Sequence, residues 1–247
     1  MKKTIYLLIA LLSPLFAVAE PTFFELRTYH THPGKLDALH ARFSDHTIGL
    51  FEKHGMTNIG YWTPQDQPDT LTYLMGYPSE EAREASWKAF LNDPTWKAAY
   101  KASTADGKLV AKIESTYLTP TDYNPGFKIE AQDPARLFEL RIYTTNDGKL
   151  DDLHKRFADH TVELFTKHGI HNLGYYIPTR KEDGAGSKLI YFVFHKDEAS
   201  RGAAFKAFSQ DPAWKSAKEA SEADGPILVK KGVSKTFLIP TPYSPSK

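Results

Sequence analysis

The sequence predicts an α+β protein of two tandem β-α-β-β-α-β halves, packed sheet to sheet as an α+β barrel within one chain. Three observations predict it. The chain repeats itself, each copy passes from strand-like to helix-like periodicity in the same order, and 247 residues suffice for two domains of about 110.

The repeat is direct. Residues 24–64 (FELRTYHTHPGKLDALHARFSDHTIGLFEKHGMTNIGYWTP) and 138–178 (FELRIYTTNDGKLDDLHKRFADHTVELFTKHGIHNLGYYIP) agree at 26 of 41 positions without a gap. Further on, Trp87-x-x-Phe90-x-x-Asp93-Pro94-x-Trp96-Lys97 returns as Phe205-x-x-Phe208-x-x-Asp211-Pro212-x-Trp214-Lys215. Two copies fall short of the minimum of about three units that a solenoid needs. The boundaries follow as a first domain over residues 20–125, a linker over 126–135 and a second domain over 136–247.

Each element has a local reason. Phe24 to Thr31 alternates and is rich in aromatic and β-branched residues, which suits a strand. From Gly34 to His54, the residues Leu36, Leu39, His40, Phe43, Thr47, Leu50, Phe51 and His54 recur at three- and four-residue steps, predicting a helix of about five turns capped by Gly55. Asn58–Thr63 and Leu71–Tyr77 are two further strands around a Pro64–Pro68 turn. Glu80–Leu91 is helical, Asp93-Pro94 restarts a helix with an N-cap and a first-position proline, and Val110–Leu118 is the last strand. This order is the ferredoxin-like split unit. In the first strand Phe24, Leu26 and Thr28 oppose Glu25, Arg27 and Tyr29, as Phe138, Leu140 and Ile142 oppose Glu139, Arg141 and Tyr143 in the copy. The apolar set is expected on the helices. The Glu-Arg-Tyr set is expected against the sister sheet, where carboxylate and guanidinium must pair to offset desolvation.

Composition narrows the function. Thirty-one Lys and Arg balance 30 Asp and Glu, which gives no electrostatic footprint for nucleic acid. The absence of cysteine excludes a disulfide framework, a thiolate metal site, a cysteine nucleophile and haem attached through Cys-x-x-Cys-His. No Gly-x-Gly-x-x-Gly, phosphate-binding loop or Gly-x-Ser-x-Gly elbow occurs, so nucleotide binding and α/β-hydrolase chemistry have no motif behind them. Residues 1–19 combine Lys2 and Lys3, the apolar run Ile5–Leu12 and an Ala17-Val18-Ala19 cleavage site. They predict a signal peptide cleaved after Ala19, a periplasmic or secreted protein, and no stable membrane insertion afterwards.

Arg42-Phe43-x-x-His46-Thr47-x-x-Leu50-Phe51-x-Lys53-His54-Gly55, preceded by Glu25-Leu26-Arg27-x-Tyr29 and Pro33-Gly34-Lys35, resembles the NIPSNAP family within the dimeric α+β barrel superfamily. The second copy repeats the pattern from Glu139 through Gly169 but has Asn146-Asp147 for His32-Pro33, and Tyr176 for Trp62. The resemblance implies two ferredoxin-like halves doing within one chain what relatives do as a dimer. Its superfamily includes cofactor-free monooxygenases, isomerases and haem-handling proteins with ligands between sheet and helices, so the fold does not choose a reaction.

Histidines are the first candidates for chemistry. His46 and His160 lie on the flank of their helices, about 80° from the centre of the apolar stripe, where each could border a sheet–helix cleft as a proton donor, acceptor or haem ligand. The alternative is a half-exposed structural histidine. His40 and His154 face the sheet, as a ligand contact or as a core histidine bonded to backbone, and His54 and His168 suit a helix-end cation. None of the repeated pairs has the spacing that lets one helix face hold zinc, so no metal site is predicted. Arg27, Tyr29, Arg141 and Tyr143 are candidates to position an anionic ligand, or else belong to ion pairs with Glu25 and Glu139. Trp87, Trp96, Phe90 and their repeats read as core. The sequence therefore predicts a small-molecule protein, monomeric or homo-oligomeric, whose clefts bind or modify a hydrophobic or aromatic compound through His46 and His160. A cofactor-free oxygenase or isomerase leads, with no cofactor predicted and haem admitted only in the alternative of a carrier or sensor. A structural, partner-binding module is the third reading.

Overall fold

The computed structural model describes residues 20–127, 131–132 and 134–247. The signal segment 1–19, and residues 128–130 and 133 of the linker, lie outside the described residues. The first half runs β1 (Phe23–Thr31), α1 (Leu36–Arg42), a π-helical turn (Phe43–Thr47), α2 (Ile48–Lys53), β2 (Thr57–Pro64), β3 (Thr70–Tyr77), α3 (Glu80–Asn92), α4 (Pro94–Ser103) and β4 (Val110–Pro120). The second half repeats it as β5 (Leu137–Thr145), α5 (Leu150–Arg156), a π-helical turn (Phe157–Thr161), α6 (Val162–Lys167), β6 (His171–Pro178), β7 (Lys188–His195), α7 (Glu198–Gln210), α8 (Pro212–Ser221) and β8 (Leu228–Pro240). Asp93 and Asp211 cap α4 and α8 by accepting from the Thr95 and Ala213 amides, each at 2.8 Å, with proline at the first helical position.

All eight strands close into one antiparallel barrel in the order β1-β3-β2-β8-β5-β7-β6-β4. The halves join at two seams. Trp62, Thr63 and Pro64 of β2 pair with Pro240, Ile239 and Leu238 of β8, and Leu118, Thr119 and Pro120 of β4 pair with Pro178, Ile177 and Tyr176 of β6. Past each seam, the end of one half crosses onto the other: the Thr241 amide donates to the Tyr61 carbonyl at 2.9 Å, and the Thr121 amide to the Tyr175 carbonyl at 3.0 Å.

The barrel interior is filled from both halves by Phe24, Leu26, Trp62, Leu74 and Leu118 with Phe138, Leu140, Tyr176, Ile190, Phe192 and Leu238. Gly60 and Gly174 are required here, because a Cβ at either would overlap the Trp62 or the Tyr176 ring folded back over it.

Two expectations are corrected. The faces of the first strands are reversed: Phe24 and Leu26 point into the barrel, while Glu25, Arg27 and Tyr29 face the helices, with Tyr29 in the core beneath them. The interior is filled mainly by apolar and aromatic side chains, whereas the helix side brings Glu25 a second cation, Arg83 of α3, at 2.9 Å through both Nε and Nη2. The buried charge therefore lies where it can be paired. The predicted first helix is also interrupted. In the π-helical turn the Phe43 and Thr47 side chains are buried while Ser44, Asp45 and His46 are exposed, and Thr47 Oγ1 donates to the Arg42 carbonyl at 3.0 Å.

Candidate functional site

In the first half the sheet and helices separate into a cleft of about 640 Å³. β1 contributes Arg27 and Tyr29, the π-helical turn Phe43 and Thr47, α2 Phe51, α3 Arg83, Trp87 and Phe90, and α4 Trp96 and Tyr100, with Lys108, Val110 and Lys112 along β4. The size lies within the roughly 300–1,000 Å³ typical of small-molecule sites. Among the described residues its lining includes five cations, and no histidine, aspartate or glutamate.

Beneath the lining, β1 and α3 build a buried polar layer. Glu25 is fully buried and receives Arg27 Nη1 at 2.5 Å, both Arg83 bonds and Trp87 Nε1 at 3.1 Å. Burial pushes the Glu25 carboxyl up, but Arg83 and Arg27 outweigh it and hold the group below its usual range. Arg27 Nη2 donates to Tyr29 Oη at 3.2 Å, its guanidinium lies 4.4 Å from the Trp87 ring centre, and its Nε has no partner among the described residues. Against burial, Tyr73, Tyr29 and Glu25 keep the Arg27 guanidinium charged.

The opposite wall holds Arg42, only 5% exposed, between the Trp96 and Tyr100 rings at 5.4 and 5.3 Å. It is brought there by the last turn of α1, immediately before the π-helical turn. Among the described residues Arg42 Nη1 reaches only Ser103 Oγ, at 3.3 Å, and burial pushes its pKa below the ordinary value.

The histidines predicted as catalytic do not border this cleft. His46 is exposed, on a shallow depression between α1 and α4 with Asp45 and Ser103, and His160 holds the matching place between α5 and α8. The cleft therefore offers haem iron none of the imidazoles on which a haem reading relied. His40 and His154 accept or donate across the halves, to Tyr243 Oη at 2.6 Å and to Tyr123 Oη at 2.8 Å, rather than to backbone. His54 and His168 end their helices and bind Asp93 and Asp211 at 2.8 and 2.7 Å, tying α2 to α4 and α6 to α8. Arg27 and Tyr29 do line the cleft; in the second half Arg141 repeats the bonds to Glu139 and Tyr143, but its Nε, unlike that of Arg27, donates to Tyr191 Oη at 2.8 Å. Arg42, Arg83, Lys108 and Lys112 also line the cleft though the sequence pattern did not mark them as site residues, and Trp87 and Trp96 border the cleft instead of only filling core. The repeat carried two signals: Arg42 recurs as Arg156, and Arg83 of α3 recurs as Arg201 of α7, each of the latter pair bonding the glutamate of its half's first strand. Among the described residues no group of three or more acidic or histidine side chains could hold a metal ion, and no helix is long and apolar enough to cross a membrane.

Comparison with solved structures finds the same two-half architecture at low identity. A Fusobacterium nucleatum protein provisionally described as a monooxygenase is 13% identical, with a TM-score of 0.61 over 92% of this chain and 95% of that one. A Lactobacillus acidophilus protein described in the same way is 12% identical, with a TM-score of 0.57 over 90% and 94%. An anthrone oxidase-like protein is 14% identical, with a TM-score of 0.52 over 92% and 94%. At these identities the likeness is one of fold. No curated protein matches the chain. The NIPSNAP family model matches residues 24–125 and again 138–245, one copy for each half of the barrel, and the chain is a member of the NIPSNAP family.

Proposed function

We propose that the protein is a small-molecule binder whose first-half cleft holds a largely aromatic compound, as a carrier or sensor. The observation that carries this reading is the lining: aromatic walls from Phe43, Phe51, Trp87, Phe90 and Trp96, guanidiniums, and no imidazole or carboxylate. Such a site holds a ring and stabilises negative charge, but it lacks the usual side chains for taking up a proton near neutral pH. Oxygenation or isomerisation with His46 or His160 as base has no geometric support, since neither imidazole reaches the cleft. The descriptions of the three structural neighbours, two as monooxygenases and one as anthrone oxidase-like, agree with an aromatic ligand and do not transfer a reaction.

Titration with 2-naphthoate, followed by tryptophan fluorescence and calorimetry, tests the reading. Trp87 and Trp96 border the cleft, so their emission should change as one site fills. Trp96→Ala should weaken binding by about tenfold, the loss of one good aromatic wall, and His46→Ala should leave it unchanged. Undiminished binding in the Trp96 variant, or loss in the His46 variant, would move the site elsewhere.

A further inference from the structure

Arg42 and Arg156 hold the same place in the two halves and keep nearly the same company. Their Nη1 atoms donate to Ser103 Oγ at 3.3 Å and Ser221 Oγ at 3.2 Å, and their guanidiniums lie over Trp96 at 5.4 Å and Trp214 at 5.3 Å. The residue that follows the serine differs. In the second half it is Glu222, with Oε1 2.9 Å from Arg156 Nη1 and Oε2 2.7 Å from Lys218 Nζ. At the matching positions the first half has Thr104, whose hydroxyl donates to the Tyr100 carbonyl at 2.7 Å, and Tyr100 itself, whose ring lines the cleft. Among the described residues no carboxylate reaches Arg42; its Nε, like that of Arg156, is buried without a partner, so the copies differ at Nη1, where Arg156 has Glu222 beside its serine and Arg42 has the serine alone. A guanidinium taken out of water in this way is costly until an anion arrives, and its planar donor fork suits a carboxylate.

We propose that the first-half cleft recognises the carboxylate of an aromatic ligand through Arg42, in the position that Glu222 fills opposite Arg156 in the second half. The proposal rests on the aromatic-ligand reading above. It makes the two copies unequal: Arg42 meets no carboxylate among the described residues, whereas Arg156 is paired by Glu222. The duplication thus supplies its own template for the missing group. The backbone is ready for either residue, since Thr104 has φ −109° and ψ 12° where Glu222 has φ −111° and ψ 13°.

The test compares 2-naphthoate with its uncharged counterpart 2-naphthylmethanol on the full chain. The wild type should bind the carboxylate about tenfold or more tighter, as expected for a charged hydrogen-bonded pair. Thr104→Glu should abolish that preference while still binding the alcohol, and should raise the melting temperature by about 2–4 °C through the new pair with Arg42. Thr104→Gln, of the same size without the charge, should keep the preference. Glu222→Gln should leave first-half binding as it was. A wild type that binds both probes equally, or a Thr104→Glu protein that keeps its preference, overturns carboxylate recognition and leaves the aromatic cleft standing. Loss of the preference in Thr104→Gln as well overturns it too, since blockage and not charge would then be the cause. Binding of neither probe to the wild type overturns both readings.

Discussion

Single residues separate the two copies more than their shared pattern suggests. Where the first half places Tyr77 and Trp87 beside Glu25, the second has His195 and Phe205 beside Glu139. His195 is 1% exposed, its Nε2 lies 3.8 Å from Glu139 Oε2, and burial lowers its pKa to about 4, against an opposing pull from Glu139 and with added push from Arg201, His171 and Arg141. The unfolded chain takes up this proton near pH 6.5 and the folded chain only near pH 4. Folding is therefore disfavoured progressively as pH falls through that window, by roughly 2–3 kcal/mol at pH 4.5. Denaturant unfolding at pH 7 and pH 4.5 should show this loss, and His195→Tyr, which installs the residue of the first half, should remove most of it. An unchanged difference between the two pH values in the variant would assign the effect to other groups, such as His40 and His154, which burial also lowers. The sequence showed that Arg27 and Glu25 share a strand face, but not which layer that face meets. That depends on Arg83, 58 residues from Glu25 in the chain and adjacent to it only after folding.

Elements were legible where one periodicity governs and obscure where it slips. Strands and helices of each half follow the alternation and the three- and four-residue steps closely, and the Asp-Pro starts of α4 and α8 carry their own capping signal. The π-helical turns do not. Phe43 and Thr47 keep the four-residue step of an ordinary helix, so the pattern gives no sign of the widened turn, and a strict helical projection left His46 beside the cleft when it is exposed. The hydroxyls of Thr47 and Thr161 close these turns by donating to the carbonyls of Arg42 and Arg156 at 3.0 and 3.1 Å. Removing either hydroxyl leaves a buried carbonyl without that donor, and Thr47→Val and Thr161→Val should each cost about 1–2 kcal/mol in denaturant unfolding. The binding outcomes should differ. The Thr47 change loosens the turn that holds Arg42 and should weaken 2-naphthoate binding severalfold, while the Thr161 change should leave it intact. Equal effects on binding would mean that the turns stabilise the helices without setting the cleft.

At the scale of the whole molecule, the repeat made the barrel readable, because two split units in one chain can bury their sheets against each other without a second chain. The crossing of chain ends was not readable, since it depends on what lies beyond each seam. Tyr243, past β8, bonds His40 of the first half, and Tyr123, past β4, bonds His154 of the second. Ser244 Oγ accepts from the Tyr61 amide at 3.0 Å, and Ser246 Oγ donates to the Ile59 carbonyl at 2.6 Å. Each half thus completes the other twice, along a strand seam and through an exchanged tail. A fragment of residues 20–125 would expose Phe24, Leu26, Trp62, Leu74 and Leu118 on an open sheet face, together with unpaired edges on β2 and β4. Apolar surface of that kind associates. Its own tail, including Tyr123, would find on a second copy the matching helix with His40 that it meets as His154 in the intact chain. The fragment should therefore form a symmetric dimer at micromolar concentration, by sedimentation, and Tyr123→Ala should weaken that dimer. A folded, stable monomer would show that the sheet face needs no partner, and a dimer indifferent to Tyr123 would show that the seams alone hold the halves together.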